Sequence, residues 1–455
     1  MQDPERECSR RIGWLVGILA AIAVYSAVWP AYRSCQITDI IGNEAWNAYS
    51  SDAAFQGAKL YPASDELTTN NYPPLSFYIV GSAGALVGDT VFAGRWISLI
   101  AIGMIAVGVG FTIRQLGGSR MAAGIGGLYF VGTFCRFFTM YAGMNDPQLL
   151  AHAMMVFGFV AFLKAVERDR GYFWPIFLMV VTGFVKHNIV TMPVVAFLWL
   201  GIQHPKRFLP NAAVAVSLIA AGFAVCRAAY GPDFFPNMLA PRKYSLCLML
   251  IFVGHLQFVA VGLIGWLCVG IPLRRDPTVK LCNMLVAVAL GMFLLQKSGE
   301  GLGENAQFDL IIAVSIAVGV AFARTSDTPV AKRIPAERLR FALLLAIVIR
   351  LLACEQIEPV RLVFDSGFRR EIAERTQIMK DCIGEVRNVP GKVMAPPILT
   401  YRAGKPFVVD SFNLDQRIKA GVFPLDIVQQ RIAAGEFVKM NLDPRHSWLV
   451  AYPGD

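Results

Sequence analysis

Along most of its length the chain alternates apolar runs of about 15 to 20 residues, the length a bilayer core requires, with short polar stretches. The runs lie at 12–29, 93–113, 121–137, 147–163, 172–185, 189–203, 211–229, 246–271, 279–296, 306–323 and 339–353. They predict an α-helical polytopic membrane protein with about eleven transmembrane helices. A further run, "PPLSFYIVGSAGALVG" at 73–88, opens on two prolines and holds three glycines. That composition suits an interfacial or re-entrant helix better than a span.

From Glu355 onward the pattern changes. Helical runs "FRREIAERTQIMKDCIGEV" and "PLDIVQQRIAAGEF" alternate with short strand-like runs "KVMAPPIL", "PFVVD" and "SWLVAY". Residues 1–354 are therefore expected to form a transmembrane domain with a first outer loop at 33–92, and residues 355–455 a small extracytoplasmic α/β domain.

Charge orients these helices. If 73–88 does not cross, then Arg114, Arg120, Lys164, Arg168, Arg170, Lys206, Arg207, Arg274, Arg275, Arg324, Lys332 and Arg333 all fall on the cytoplasmic side, as the positive-inside tendency requires. The basic start "RECSRR" and the absence of a small-residue cleavage pattern suit an uncleaved first anchor with its amino end inside. The outer face, expected to be periplasmic, then collects the stretch "TDIIGNEAWNAYSSDAAFQGAKLYP" and the loops at 141–148, 185–188, 240–245 and 296–307.

Composition sharpens this picture. The chain is 55% hydrophobic and only 16% charged, which excludes an ordinary soluble enzyme. Its net charge of +10 sits largely in loops between spans, so nucleic acid is not the expected partner. Nine cysteines without a Cys-x-x-Cys pair support neither a metal site nor a disulfide framework. "KSGEGLGENAQFD" lacks the order of a P-loop, and His152, His204 and His255 lack metal-ligand spacing, which favours structural roles.

The outer polar residues are the candidates for chemistry, each with a simpler alternative. Asp39, Glu44 and Asp52 follow the first span, where a carboxylate is often only solvated. Asp39 and Glu44 gain from their placement, because "NEAWNAYSSDAAFQ" reads as an amphipathic helix with Ala45, Ala48, Tyr49 and Ala53 available to the membrane, holding an acid at a cavity edge. Asp52 reads as solvated. Asp146, before Pro147, is either a helix cap or a site residue. Lys186, His187 and Asn188 stand at the membrane boundary, where a lysine also snorkels. Arg242, Lys243 and Lys297 break the positive-inside pattern; an anionic ligand, lipid headgroups or the soluble domain would each account for them.

Several stretches together resemble a known family. "GNEAWNAY", "LYP" and "NNYPPLSFYI", followed by "FAGRWISL" at 92–99, "NDPQLLAHAMM" at 145–155, "TGFVKHNIVTMPVVAF" at 182–197, "KSGEGLGENAQFDL" at 297–310 and "AGKPFVVDSFN" at 403–413, are similar in kind and order to the GT-C membrane glycosyltransferases. The branch is that of protein O-mannosyltransferases, the lipid A aminoarabinose transferase and Rgt-type lipopolysaccharide-core transferases. The resemblance implies inverting transfer of a sugar from a polyprenyl-phosphate-linked donor to a glycan, lipid or protein acceptor of the cell envelope. It also implies a carboxylate base in the first outer loop. The family commonly shows an Asp-Glu pair where this chain has Asn43-Glu44, which leaves the base between Glu44 and Asp39.

A base must take the acceptor's hydroxyl proton, and cations must meet the charge that grows on the leaving phosphate. Glu44 is the expected base, with Asp39 placed beside it to orient the acceptor or to raise its pKa. Lys186, His187, Arg242, Lys243 and Lys297 are the donor phosphate candidates, with Asp146, Asn305 and Tyr72 on the acceptor side or in support. No metal ligands are assigned, although a divalent cation is compatible with the chemistry. The alternative from another class is a secondary transporter or lipid flippase, whose charges belong near the midplane on discontinuous helices.

Overall fold

The computed structural model describes residues 4–240, 242–301 and 303–439. Every long apolar run is helical, because only internal hydrogen bonds satisfy the backbone where water is absent. The membrane-associated helices are α1 (Pro4–Arg33), α2 (Glu44–Phe55), α3 (Leu75–Val87), α4 (Thr90–Gln115), α5 (Arg120–Phe137), α6 (Pro147–Arg168), α7 (Phe173–Gly183), α8 (Thr191–Gln203) and α9 (Pro205–Tyr230). They continue with α10 (Phe234–Met238), α11 (Leu246–Phe252), α12 (Ala260–Gly270), α13 (Pro277–Lys297), α14 (Phe308–Arg324) and α15 (Ala336–Leu352).

Six of these segments are long and apolar enough to cross a membrane, or seven when α11 and α12, bent by 82° at their break, are taken as one span. The runs at 172–185 and 189–203 are instead two short helices of 11 and 13 residues. At 1.5 Å per residue they rise roughly 17 and 20 Å, against about 30 Å of hydrocarbon. The loop between them, with Lys186, is therefore recessed. The 13-residue α3 is equally short for a span. Its first turn is anchored at the same depth, where the Leu75 amide donates to the Phe184 carbonyl.

At the centre stands α14. Its residues from Phe308 to Phe322 are all buried, as expected of a helix apolar on every face. It packs against α5, α12 and α13, and α4 packs against α5 and α6.

The tail comprises α16 (Glu358–Phe364), α17 (Ser366–Asn388), α18 (Pro397–Arg402), α19 (Ser411–Lys419) and α20 (Leu425–Ala433). The two helical runs read from the sequence are present. The strand-like runs are mostly not strands: "KVMAPPIL" is extended only at β1 (Val393–Met394), which pairs in parallel with β2 (Val438–Lys439), and its Pro397 opens α18. "PFVVD" forms no strand, and "SWLVAY" lies outside the described residues.

A second correction concerns α2. Its Ala45 and Ala48 do not face the membrane but are buried with Val91 against Met379, Cys382, Ile383, Val386, Ile398 and Leu399 of the tail. The Tyr49 ring stacks on Phe407, and its hydroxyl donates to the Lys405 carbonyl at 2.7 Å. Small side chains on one helix face let the tail's α18 approach closely. Asp52 likewise is not merely solvated: it accepts from the hydroxyls of Thr90 at 2.6 Å and Tyr401 at 2.8 Å. The first loop and the tail thus share one core.

Candidate active site

The loop after α1 turns through Gly42 and enters α2 at Glu44, whose side chain points back into the protein and is fully buried. Arg95 of α4 meets it side-on, with Nε 2.8 Å from Oε1 and Nη2 2.6 Å from Oε2. Two backbone amides complete the shell: Ile40 donates to Oε2 at 2.7 Å and Asn145 to Oε1 at 2.9 Å. Each Glu44 oxygen therefore already accepts two hydrogen bonds. Burial disfavours its charge, but Arg95 and these donors outweigh it and hold the carboxyl below its ordinary range.

Arg95 spends its remaining donors on the carbonyls of Gln36 at 2.5 Å and Thr38 at 2.7 Å, which fixes the approach to Asp39. Asp39 has the opposite character. Burial, and then the neighbouring Glu44 charge and hydrogen bond, push its carboxyl well above the ordinary range. Its Oδ1 is buried with no hydrogen-bond partner.

The next cluster is joined to this one through residues 145 and 146. Asn47 donates to the Asn145 carbonyl at 2.7 Å, and Asn145 donates to the Glu44 carbonyl at 3.0 Å. Asp146 caps α6 by accepting from the Gln148 amide at 2.7 Å, so the cap expected before Pro147 exists. The same carboxylate is also a hub. Asn43 and the Tyr72 hydroxyl each donate to Oδ2 at 3.4 Å, and Lys186 Nζ lies 3.6 Å from Oδ1. Cap and site readings of Asp146 are therefore compatible.

Lys186 does not snorkel. It is buried, its Nζ sits 3.2 Å from the centre of the Tyr72 ring, and it has no hydrogen-bond acceptor. Desolvation lowers its pKa from 10.5 to about 8, against the pull of Asp146. Arg242 is close enough for its charge to act on both Lys186 and His187. Its Nη1 is 3.5 Å from the Gly301 carbonyl, and its guanidinium lies 6.0 Å from the ring of Phe412 in the tail. Desolvation of its ring, then the charges of Lys186 and Arg242, lower the His187 pKa, although its side chain is partly exposed.

The other predicted residues lie further out. Lys297 is buried beneath the Phe252 ring at 4.3 Å, with Glu304 as nearby counter-charge. The Lys243 side chain is exposed, while its carbonyl accepts from the Glu300 amide at 2.9 Å, joining the loops before α11 and after α13. Asn305 donates to Gln148 at 3.4 Å, two residues beyond the Asp146 hub. His152 Nε2 lies 3.2 Å from Asp309, which accepts from Thr191 at 2.6 Å. Among the described residues no group of three or more His, Cys, Asp or Glu side chains could hold a metal ion.

Sequence reasoning missed Arg95, although "FAGRWISL" contains it. The available signal was a lone arginine near the start of an apolar run, which in a membrane demands a partner. Its neighbour Gly94 is equally constrained, since a Cβ there would stand 1.8 Å from Asn145 Oδ1.

No family model and no curated protein matches the chain. Solved structures do. ArnT from Cupriavidus metallidurans, bound to undecaprenyl phosphate, matches with a TM-score of 0.59 at 14% identity over 96% of this chain and 94% of that one. The archaeal oligosaccharyltransferase AglB from Archaeoglobus fulgidus, in complex with an inhibitory peptide and a dolichol-phosphate, matches with a TM-score of 0.50 at 13% identity. That match covers 83% of this chain and 58% of the other. The oligosaccharyltransferase from the same organism tethered to an acceptor peptide gives 0.52 at 11% identity, over 88% and 64%. The chain accordingly shares its fold with ArnT and with the archaeal oligosaccharyltransferase.

Proposed function

We propose that the protein is an inverting membrane glycosyltransferase, moving a sugar from a polyprenyl-phosphate-linked donor to a glycan, lipid or protein of the cell envelope on the outer side of the cytoplasmic membrane. One observation carries this reading: Asp39, whose buried Oδ1 has no hydrogen-bond partner among the described residues, is joined through Glu44, Asn145 and Asp146 to the buried Lys186, with Arg242 close enough for its charge to act there.

In this reading Asp39 is the base and Glu44 its positioning residue, because all the acceptor capacity of Glu44 facing Arg95 and the two amides is in use. Asp39 takes the proton of the acceptor hydroxyl as that oxygen attacks the anomeric carbon. The bond from that carbon to the phosphate oxygen breaks, and its electron pair leaves with the phosphate. Negative charge grows there, and Lys186, buried, stabilises it more than it would in bulk water, with Arg242 adding its charge. Arg95 keeps the loop 36–38 in place. The tail, expected outside the cytoplasm, walls the acceptor side through α19, whose Arg417 donates to the Glu66 carbonyl at 3.0 Å and to Thr69 at 3.2 Å.

Mass spectrometry of envelope glycans and lipids from cells with the gene deleted tests the function directly. A missing sugar restored by the wild-type gene, but not by Asp39→Asn, is the expected result. An unchanged envelope would overturn it.

A further inference from the structure

Opposite the candidate site, at the other end of the helix bundle, lies a second polar feature. The site gathers at the first turn of α6, the last of α13 and the first of α14. Arg324 at the last turn of α14 and Asp276 at the start of α13 mark the far end. There a cavity of about 340 Å³ is lined by Pro272, Leu273, Arg274, Arg275, Asp276 and Arg324.

Its charges are arranged unequally. Asp276 is committed twice, capping α13 by accepting from the Val279 amide at 3.1 Å and pairing with Arg324 Nη2 at 2.5 Å. Arg324 also pairs with Asp327 at 2.8 Å. Arg324 is thus shared by two carboxylates, and the floor of the cavity carries no uncompensated positive charge. Arg274 and Arg275 are exposed at its mouth, and neither has an ion-pair partner among the described residues. From this mouth an apolar track runs back along one face of α12, through Ile271, Leu267 and Ile264, all exposed. The spacing of four and three residues keeps them on one side of the helix.

We infer that this cavity is a binding site for an anionic phospholipid, whose phosphate meets Arg274 and Arg275 while an acyl chain lies along Ile271, Leu267 and Ile264. Basic residues that only orient a helix need positive charge at the loop; they require neither a cavity nor an apolar track leading from it. Arginine is suited to the role, because its planar fork of donors matches phosphate oxygens. A neutral zwitterionic lipid has the same tail but carries an ammonium group toward two uncompensated cations, so it is disfavoured.

The test is native mass spectrometry of the full chain, released from micelles containing equal amounts of phosphatidylglycerol and phosphatidylcholine. The expected result is preferential retention of phosphatidylglycerol, reduced about tenfold or more in Arg274→Gln/Arg275→Gln and unchanged in the control Arg170→Gln. Equal retention of both lipids by the wild-type chain, or full retention by the double variant, would overturn the inference. Inorganic phosphate at millimolar concentration should not displace the lipid, and Ile264→Ser/Ile271→Ser should weaken retention. Displacement by phosphate with no effect of the track variant would identify a free-phosphate site instead, and would equally overturn it.

Discussion

Arg95 clasps both carboxylate oxygens of Glu44, at 2.8 and 2.6 Å, with neither side chain exposed to solvent. The pair joins α4 to the loop after α1 and leaves Asp39 as the neighbouring carboxyl with an oxygen that has no hydrogen-bond partner among the described residues. The consequences separate stability from chemistry.

Breaking a buried ion pair typically costs about 3 to 5 kcal/mol. Glu44→Gln should therefore lower the melting temperature markedly, whereas Asp39→Asn should not. Transfer should fall by a factor of about 10² to 10⁴ in Asp39→Asn with the fold intact, as for loss of a general base. Thermal melts of both variants, alongside a transfer assay, decide the assignment. An active Asp39→Asn enzyme would return the base to Glu44.

The pH profile should be bell-shaped. Transfer requires Asp39 ionised, so the rate rises with pH through a value above the ordinary carboxylate range. It also requires Lys186 charged, so the rate falls again above about 8. Lys186→Arg, whose guanidinium stays protonated, should move the alkaline limb upward. For stability the sign of the Asp39 effect is fixed by its raised pKa. The folded state binds that proton more tightly, so the contribution is full below the unfolded carboxyl pKa of about 3.9 and is lost as pH rises through the raised folded value. Asp39→Asn should flatten that decline in melts recorded from acid to neutral pH.

Lys186→Ala and Arg242→Ala each remove a cation from the proposed phosphate pocket. Charge-assisted hydrogen bonds contribute about 1.5 to 3 kcal/mol, so each variant should weaken donor binding or transfer at least tenfold. Titration with a polyprenyl phosphate followed by intrinsic fluorescence would measure this. Unchanged affinity in both would remove the pair from the donor site.

Gly94 is the point of closest approach between α4 and Asn145. Gly94→Ala would force a Cβ into the Asn145 amide, and overpacking of this kind costs about 1 to 3 kcal/mol. Because Asn145 donates to both Glu44 and its backbone, transfer should suffer along with the melting temperature. Gly103→Ala, on the same helix with open space around it, should be silent in both measurements.

Topology is the remaining expectation open to direct measurement. Cysteine labelling from the outside should reach a probe at Lys405 and not one at Arg120. Because Glu44 and Arg95 meet on one side of 73–88, an accessible Arg120 would invert the orientation of the whole bundle and the side on which sugar transfer is proposed.

Much was legible from the chain alone, for a physical reason. A bilayer demands internally bonded helices, so the long apolar runs had to be helical, and "DP" had to begin one at Pro147. The depth of Lys186 was not legible: the runs at 172–185 and 189–203 read as spans, and only the structure shows helices of 11 and 13 residues. Pairing was not legible. The Glu44–Arg95 and Lys186–Tyr72 contacts join residues 51 and 114 positions apart, and no local pattern specifies which distant group a buried charge will meet. The tail illustrates the same limit. Ala45 and Ala48 form an apolar stripe that suits lipid or protein equally, and only the docking of α17 and α18 decided that it faces the tail. In the same way "KVMAPPIL" satisfies a strand pattern, yet Pro397 opens a helix there because Ile398 and Leu399 complete that shared core. The order of helices followed from the solvent around each run, whereas the roles of individual carboxylates followed from which donors the tertiary structure brought to them.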